Sequence, residues 1–237
     1  MIVYQMIEFK SHASGSSGNL YTLSDGNETL MIEAGIRFKD IQKALDFKLS
    51  NVEGVLLSHS HGDHSKSVKN VLKAGIPVYM LEETRQELDL KHHRIKIIEA
   101  GKQFDLGSYK ILPFNIQHDV PGVGFLIQSK AGKRTLFITD SYYCKYKFKN
   151  LNIIAIEANY SQEILDDNIL NGRVPQVMRR RLMQSHFSLE NVINFLKAND
   201  LSIVDEIHLL HLSDTNSNEK EFKTKVQEAT GKRVIIA

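Results

Sequence analysis

The sequence predicts a mixed α/β (α+β) fold in which two sheets are sandwiched between helical layers. Three observations predict it. Short apolar runs punctuated by turn residues fill the first part of the chain and return between residues 95 and 158. Segments with helical spacing are interposed among them, and strand and helix alternate again to the end. No low-complexity linker and no internal repeat interrupts the pattern, so one domain over 1–237 is expected.

Taken in order, "IVYQMIEF", "LYTLSD", "ETLMIEAG" and "VEGVLLSH" read as strands, joined by the turn chemistry of "SGSSGN" and "DGNE". "RFKDIQKALDFK" places Phe38, Ile41, Ala44 and Leu45 at helical spacing. "SKSVKNVLKAG" does the same with Val68, Val71 and Leu72 before Gly75. The strand "IPVYML" and the helix "LEETRQELDL" follow. Strands return as "IKIIEAG", "YKILPFNI", "VGFLIQS", "RTLFITD" and "LNIIAIEAN". Residues 160 to 184 are polar and poorly periodic, which predicts a long loop with some helix, a lid or dimer element in role. "SLENVINFLKAND" is a helix, "EIHLLHLS" a strand, "NEKEFKTKVQEATG" a helix and "RVIIA" a last strand.

The bulk numbers exclude several classes. Lys+Arg 30 against Asp+Glu 28 leaves +2, too little to coat long nucleic acid by charge alone. The single cysteine, Cys144, rules out an intrachain disulfide and a cysteine-based zinc site. No run reaches the length of a membrane span, and the start "MIVYQMIEFKSHASG" lacks a leader's basic and apolar regions. A cytoplasmic protein, in a bacterium or an infected host cell, with no membrane partner, is the expectation.

One stretch concentrates chemistry. In "LSHSHGDHS", residues 57 to 65, His59, His61, Asp63 and His64 follow directly on an apolar run. Alternate residues of an extended segment project to one side, so His59 and His61 can grip one cation. Asp63 and His64, on the turn into the next helix, can reach a second. Neutral imidazole and carboxylate suit zinc, with manganese or iron as alternatives. Three later groups of the same type end apolar runs: His118 after "ILPFNIQ", Asp140 after "TLFIT" and His211 after "EIHLL".

The H-x-H-x-D-H string, the later His, the "TD" and the final "LLHLS" together resemble the metallo-β-lactamase superfamily, over nearly the whole chain. The resemblance implies an αββα four-layer sandwich and a site for two divalent ions, Zn2+ first and Mn2+ second. Carried across, His59, His61 and His118 would hold one ion. Asp63, His64 and His211 would hold the other, with Asp140 bridging and Asp63 counted among the catalytic groups. Where many members have Asp in a "DAG" turn, this chain has Glu33 in "IEAGI", a longer support behind the ligands.

Aspartate at the second site, with Cys144 elsewhere, points away from the lactam-hydrolysing branch. Thiolester and lactone hydrolases are not separated by ligands alone. Two residues favour phosphodiesterases. Glu157 ends "IIAIE" and His186 precedes the helix that Ser188 would cap, an arrangement similar to RNase Z and its relatives. There the Glu–His pair supplies the proton that a poor alkoxide leaving group needs. The turn "ASGSSGN" is close to the start of the YycJ subfamily of exonucleases. Its Ser16, Ser17 and Asn19, with backbone N–H groups around Gly15 and Gly18, are candidate substrate contacts.

"MRRRLM" sets Arg179, Arg180 and Arg181 before His186, and Arg180 is the candidate phosphate contact. In "CKYKFKN", Lys145, Lys147 and Lys149 alternate with Tyr146 and Phe148, the pattern of a protected edge strand or of a nucleic-acid groove. The compact chain without a binding arm is similar to the phage enzymes that destroy cyclic nucleotide signals, which are homodimers. The leading expectation is therefore hydrolysis of a 3′,5′-cyclic mononucleotide by a homodimer. The alternatives are a YycJ-like nuclease on DNA or RNA, and a metal-binding regulator without turnover.

Overall fold

A computed structural model of the chain describes residues 7–237. They group into two compact units. The first takes the described residues up to Asn115 together with Val120–Lys133; the second takes Ile116–Asp119 and Arg134–Ala237.

In the first unit, β1 (Glu8–Ala13), β2 (Leu20–Ser24) and β3 (Thr29–Ile32) run antiparallel, and β4 (Val52–Leu56), β5 (Val78–Met80) and β6 (Ile95–Ile97) continue the sheet in parallel. The strands lie in chain order. The strand expected over 2–9 begins outside the described residues.

Each parallel step needs a crossover. Helix α1 (Phe38–Ala44) joins β3 to β4; α2 (Gly62–Ser65) and α3 (Val68–Lys73) join β4 to β5; α4 (Glu82–Glu87) joins β5 to β6. Val68, Val71 and Leu72 of α3 pack with Ile41, Met31, Val55 and Val78 in one buried cluster. β7 (Phe104–Leu106), β8 (Tyr109–Asn115) and β9 (Val123–Gln128) form an antiparallel meander. The three residues of β7 show no period, and the sequence predicts no strand there.

The second unit is built on parallel strands β10 (Arg134–Ile138), β11 (Ile153–Glu157), β12 (Glu206–Leu210) and β13 (Arg233–Ile236), each paired with the next. β11 is buried along its full length, as expected of a strand covered on both faces. Between β11 and β12 come α5 (Gln162–Leu170), α6 (Gln176–Ser185) and α7 (Leu189–Lys197); α8 (Glu219–Thr230) precedes β13.

Two sequence expectations are corrected here. Residues 160 to 184 are mostly helical, where a long loop with some helix is expected from the sequence: α5 and α6 occupy most of the segment. Their apolar stripes are thin, so period alone did not reveal them. The lysine run 145–149 forms no strand, so it protects no sheet edge, and Phe148 is buried against Phe195 rather than open to a base. Ser188 does cap α7, accepting from the Asn191 N–H at 3.2 Å. Among the described residues, no helix is long and apolar enough to cross a membrane.

Candidate functional site

In the first unit, β4 delivers the chain to the turn at 59–64. His59 and His64 are buried, while His61 and Asp63 are partly exposed. The His59 ring lies 4.8 Å from His61, edge-on, and 4.2 Å from His64. Ser58 Oγ sits 2.8 Å from His59 Nδ1, which leaves Nε2 as the nitrogen to present. Glu33 is fully buried, with Oε2 3.6 Å from His64 Nδ1 and accepting from the Ser58 N–H at 3.4 Å. Glu33 thus backs His64, the supporting place that the resemblance gave to an aspartate.

The "SGSSGN" turn is a scaffold for this histidine turn. The Asn19 amide N–H donates to the Asp63 carbonyl at 2.8 Å, and Gly35 N–H donates to the Asn19 carbonyl at 2.9 Å. The Asn19 side-chain Nδ2 lies 3.1 Å from His64 Nε2 and 3.4 Å from Asp63 Oδ2. Its Oδ1 accepts from Gly15 N–H at 3.0 Å and from the Tyr21 hydroxyl at 2.9 Å. Asn19 is fully buried, so it positions Asp63 and His64 rather than facing a ligand directly. Gly15 and Gly18 spend their N–H groups inside the turn, which leaves only Ser16 and Ser17 exposed at its tip. A Cβ on Gly35 would fall 1.6 Å from the Asp63 carbonyl, so the "EAG" glycine is required by close backbone approach.

In the second unit, parallel strands present their carboxyl ends at one edge, where ligand groups gather in such sheets. Asp140 lies two residues beyond β10, Glu157 is the last residue of β11, and His211 follows β12 directly. Asp140 is 2% exposed; its Oδ2 lies 3.8 Å from His118 Nε2 and its Oδ1 lies 3.9 Å from His211 Nε2. One carboxylate therefore faces two imidazoles with different oxygens, the disposition of a bridging group.

His118 lies 2.9 Å from the Ser185 carbonyl through Nδ1, so Nδ1 donates and Nε2 carries the lone pair. Burial lowers its pKa, against the opposing pull of Asp140 and Asp119, which keeps the ring neutral as a ligand must be. Asn159 holds His211 at its carbonyl, 2.9 Å, and lies 3.1 Å from its Nδ1.

Glu157 is fully buried. Its Oε2 accepts from the Ser141 and Phe187 N–H groups at 3.0 and 3.2 Å, and Oε1 sits 2.5 Å from His186 Nδ1. Burial pulls the His186 pKa down. The facing carboxylates, Glu157 first and then Asp140 and Asp119, outweigh it and raise the pKa to about 9. The imidazolium is thus the resting form at neutral pH, with Nε2–H free of the Glu157 contact. Ligand atoms of Asp140, Glu157, His186 and His211 all lie within 4.8 Å of one another. Buried oriented imidazoles and a two-sided carboxylate, with no thiolate among them, fit hard or borderline divalent cations.

Sequence reasoning missed Ser58, Asn159, Ser141 and Ser185. Only Ser58 and Ser185 carried a signal, each being the residue before a site histidine.

Residues 31–211 match the family described as the Beta-lactamase superfamily domain, and the chain belongs to that family. It has the superfamily's mixed α/β fold of two sheets and helices, and it is a metal-dependent hydrolase in class. Among curated relatives, exodeoxyribonuclease YycJ of Bacillus anthracis is 28% identical over 241 aligned positions, covering 94% of this chain and 88% of the relative. Exodeoxyribonuclease WalJ of Streptococcus pneumoniae is 29% identical over 220, covering 86% and 81%. Among solved structures, the metallo-β-lactamase fold protein YhfI of Bacillus subtilis superposes with a TM-score of 0.76 at 16% identity, over 98% of this chain and 95% of that one. Human tRNase Z, short form, gives 0.66 at 14%, over 98% and 96%.

Proposed function

We propose that the chain is a metal-dependent phosphodiesterase that degrades nucleic acid strands, an exonuclease like the two relatives named for that activity. The observation that carries the reading is the Glu157–His186 contact of 2.5 Å beside Asp140, in which the buried carboxylate favours the protonated ring in the metal-free protein. A hydrolase whose leaving group departs easily has no use for such a donor; an alkoxide leaving group does. The cyclic mononucleotide suggested by chain size yields to a strand, because the relatives named exodeoxyribonucleases align over most of both chains.

His59, His61 and His118 would hold one cation, and Asp63, His64 and His211 a second, with Asp140 shared. Two divalent cations supply Lewis-acid polarisation of the phosphoryl oxygens and lower the pKa of the attacking water. The protein residues do the rest. Ser58, Glu33 and Ser185 orient imidazoles and fix which nitrogen faces the site. Asp63 and Asp140 leave part of the cationic charge uncompensated, so an anionic diester is attracted and its more charged transition state is favoured. His186 gives its Nε2 proton to the departing oxygen, while Glu157 holds the imidazolium and then the neutral ring in place.

The test is product analysis. Metal-loaded protein is incubated with end-labelled single and double strands and, separately, with 3′,5′-cyclic nucleotides. Progressive shortening of strands, lost in His186→Ala, is the expected result. Ring opening without strand shortening would restore the cyclic substrate, and no cleavage of either would end the phosphodiesterase reading.

A further inference from the structure

Helix α6 runs directly into His186, and one of its faces is basic and uncommitted. Arg180, Arg181, Gln184 and Ser185 recur at helical spacing and share one side. With Asp119 and Tyr142 they line a groove of about 640 Å³, large enough for a nucleotide-sized segment. The groove ends at the proposed chemistry, because the Ser185 carbonyl holds His118 and the next residue is His186.

The neighbouring arginines are already occupied. Arg179 is fastened to Asp166 at 2.8 and 3.4 Å, and Arg173 reaches Asp167 at 3.4 Å. Arg180 and Arg181 make no ion pair among the described residues, and both are exposed. Among the described residues that line the groove the one carboxylate is Asp119, whose Oδ1 lies 3.0 Å from His118 Nε2.

We propose that the Arg180–Arg181 face of α6 is a phosphate subsite that seats the backbone of a nucleic acid strand next to the scissile position. This deepens the exonuclease reading and rests on it. The bond to be broken belongs to the diester whose leaving oxygen meets His186. A groove walled by the helix that ends in His186 therefore takes the part of the strand flanking that bond. Planar guanidinium groups match phosphate oxygens in pairs, and two of them side by side fit successive phosphates better than one compact anion. The α6 face also explains how a chain of net charge +2 retains a strand: the positive charge is concentrated where it is used.

The experiment measures binding of a short single-stranded DNA by anisotropy across a salt series, in a metal-loaded His186→Ala background. Arg180→Ala/Arg181→Ala should weaken binding by about tenfold or more and reduce the log–log salt slope by roughly 1.4, about 0.7 per lost phosphate contact. Arg180→Lys/Arg181→Lys should restore most of that slope, which separates lost charge from lost folding. With His186 intact, the alanine pair should lower strand turnover far more than turnover of a small chromogenic phosphodiester. If strands are shortened by the parent enzyme while the alanine pair keeps the parent's salt slope, this subsite is wrong and the exonuclease reading stands. If metal-loaded parent protein cleaves neither strand nor small diester, the exonuclease reading itself falls.

Discussion

Replacing Glu157 by Gln tests the proton donor at its source. The amide keeps the size of the carboxylate, and its oxygen can still accept from the Ser141 and Phe187 N–H groups, as Oε2 does at 3.0 and 3.2 Å. Its NH2 then faces His186 Nδ1, where an acceptor stood at 2.5 Å. Glu157's share of the attraction that lifts His186 to about 9 is lost, while the burial that lowers it and the weaker pull of Asp140 and Asp119 stay, so the variant titrates well below the parent, toward the ordinary value of 6.5. A full return from about 9 to 6.5 corresponds to about 3.5 kcal/mol at ~1.4 kcal/mol per tenfold change, the upper bound on Glu157's contribution. In that limit the protonated fraction at about pH 8 falls from ~0.9 to ~0.03, roughly thirtyfold.

The sign of the stability effect follows from linkage. A folded pKa raised above the unfolded one adds stability that is complete below 6.5 and is lost as pH climbs through 9. NMR titration of the His186 ring in metal-free protein reads the shift directly. Denaturant unfolding at about pH 6 and about pH 9.5 reads the energy: the parent should lose up to ~3 kcal/mol more than Glu157→Gln between them. Coincident titrations near 6.5, or equal stability losses, would refute the claim that Glu157 charges His186. A drop in turnover of about 10²–10⁴-fold for the variant is expected from the loss of a general acid.

Gly35→Ala should destabilise the first unit by at least about 2 kcal/mol, the sum of the Asn19–Asp63 and Gly35–Asn19 backbone bonds at ~1 kcal/mol each; calorimetry checks it, and an unchanged midpoint would mean the turn relaxes freely. Asn159→Ala removes the amide that holds His211 at its carbonyl and ring. It should weaken zinc binding by roughly 10–100-fold in competition with a chromogenic chelator, the usual scale for groups that orient a ligand. Phe148→Ala should cost about 3–5 kcal/mol in denaturant unfolding, because Phe148 is 9% exposed and packs on Phe195. A near-neutral result with weakened strand binding would instead revive Phe148 as a base platform.

What was legible in the sequence is what burial writes into periodicity. β10, β11 and β12 read as continuous apolar runs because their parallel ladder lies almost wholly inside. α7 showed its stripe because Leu189, Val192, Phe195 and Leu196 all face the core. α5 and α6 did not: each buries only two residues, one of them polar, so no period rises above the noise. α2, with four residues, is shorter than the repeat by which a helix is recognised. Titratable side chains at strand ends were visible as types in places. The groups that aim them were not, since Asn19 acts through backbone approach and Asn159 through a carbonyl distant in sequence.

The least legible feature is also the most informative about the site. Glu33, Asp140 and His211 follow the ends of β3, β10 and β12, and all three have left-handed backbone, with φ of 66, 44 and 52°. Glycine or asparagine would take that conformation more cheaply, and each such residue costs of order 1–3 kcal/mol. A chain selected for stability alone would place glycine at these exits. A turn there re-aims the side chain that leaves the strand, and the residues kept are two carboxylates and an imidazole. Replacing any of them by Gly should therefore relieve strain while removing a candidate ligand, Asp140 or His211, or the Glu33 carboxylate that backs His64: thermal stability of the metal-free protein holds or rises, and zinc affinity falls. Metal-free stability that falls sharply for all three would show that these side chains serve packing, and the argument from strain would fail.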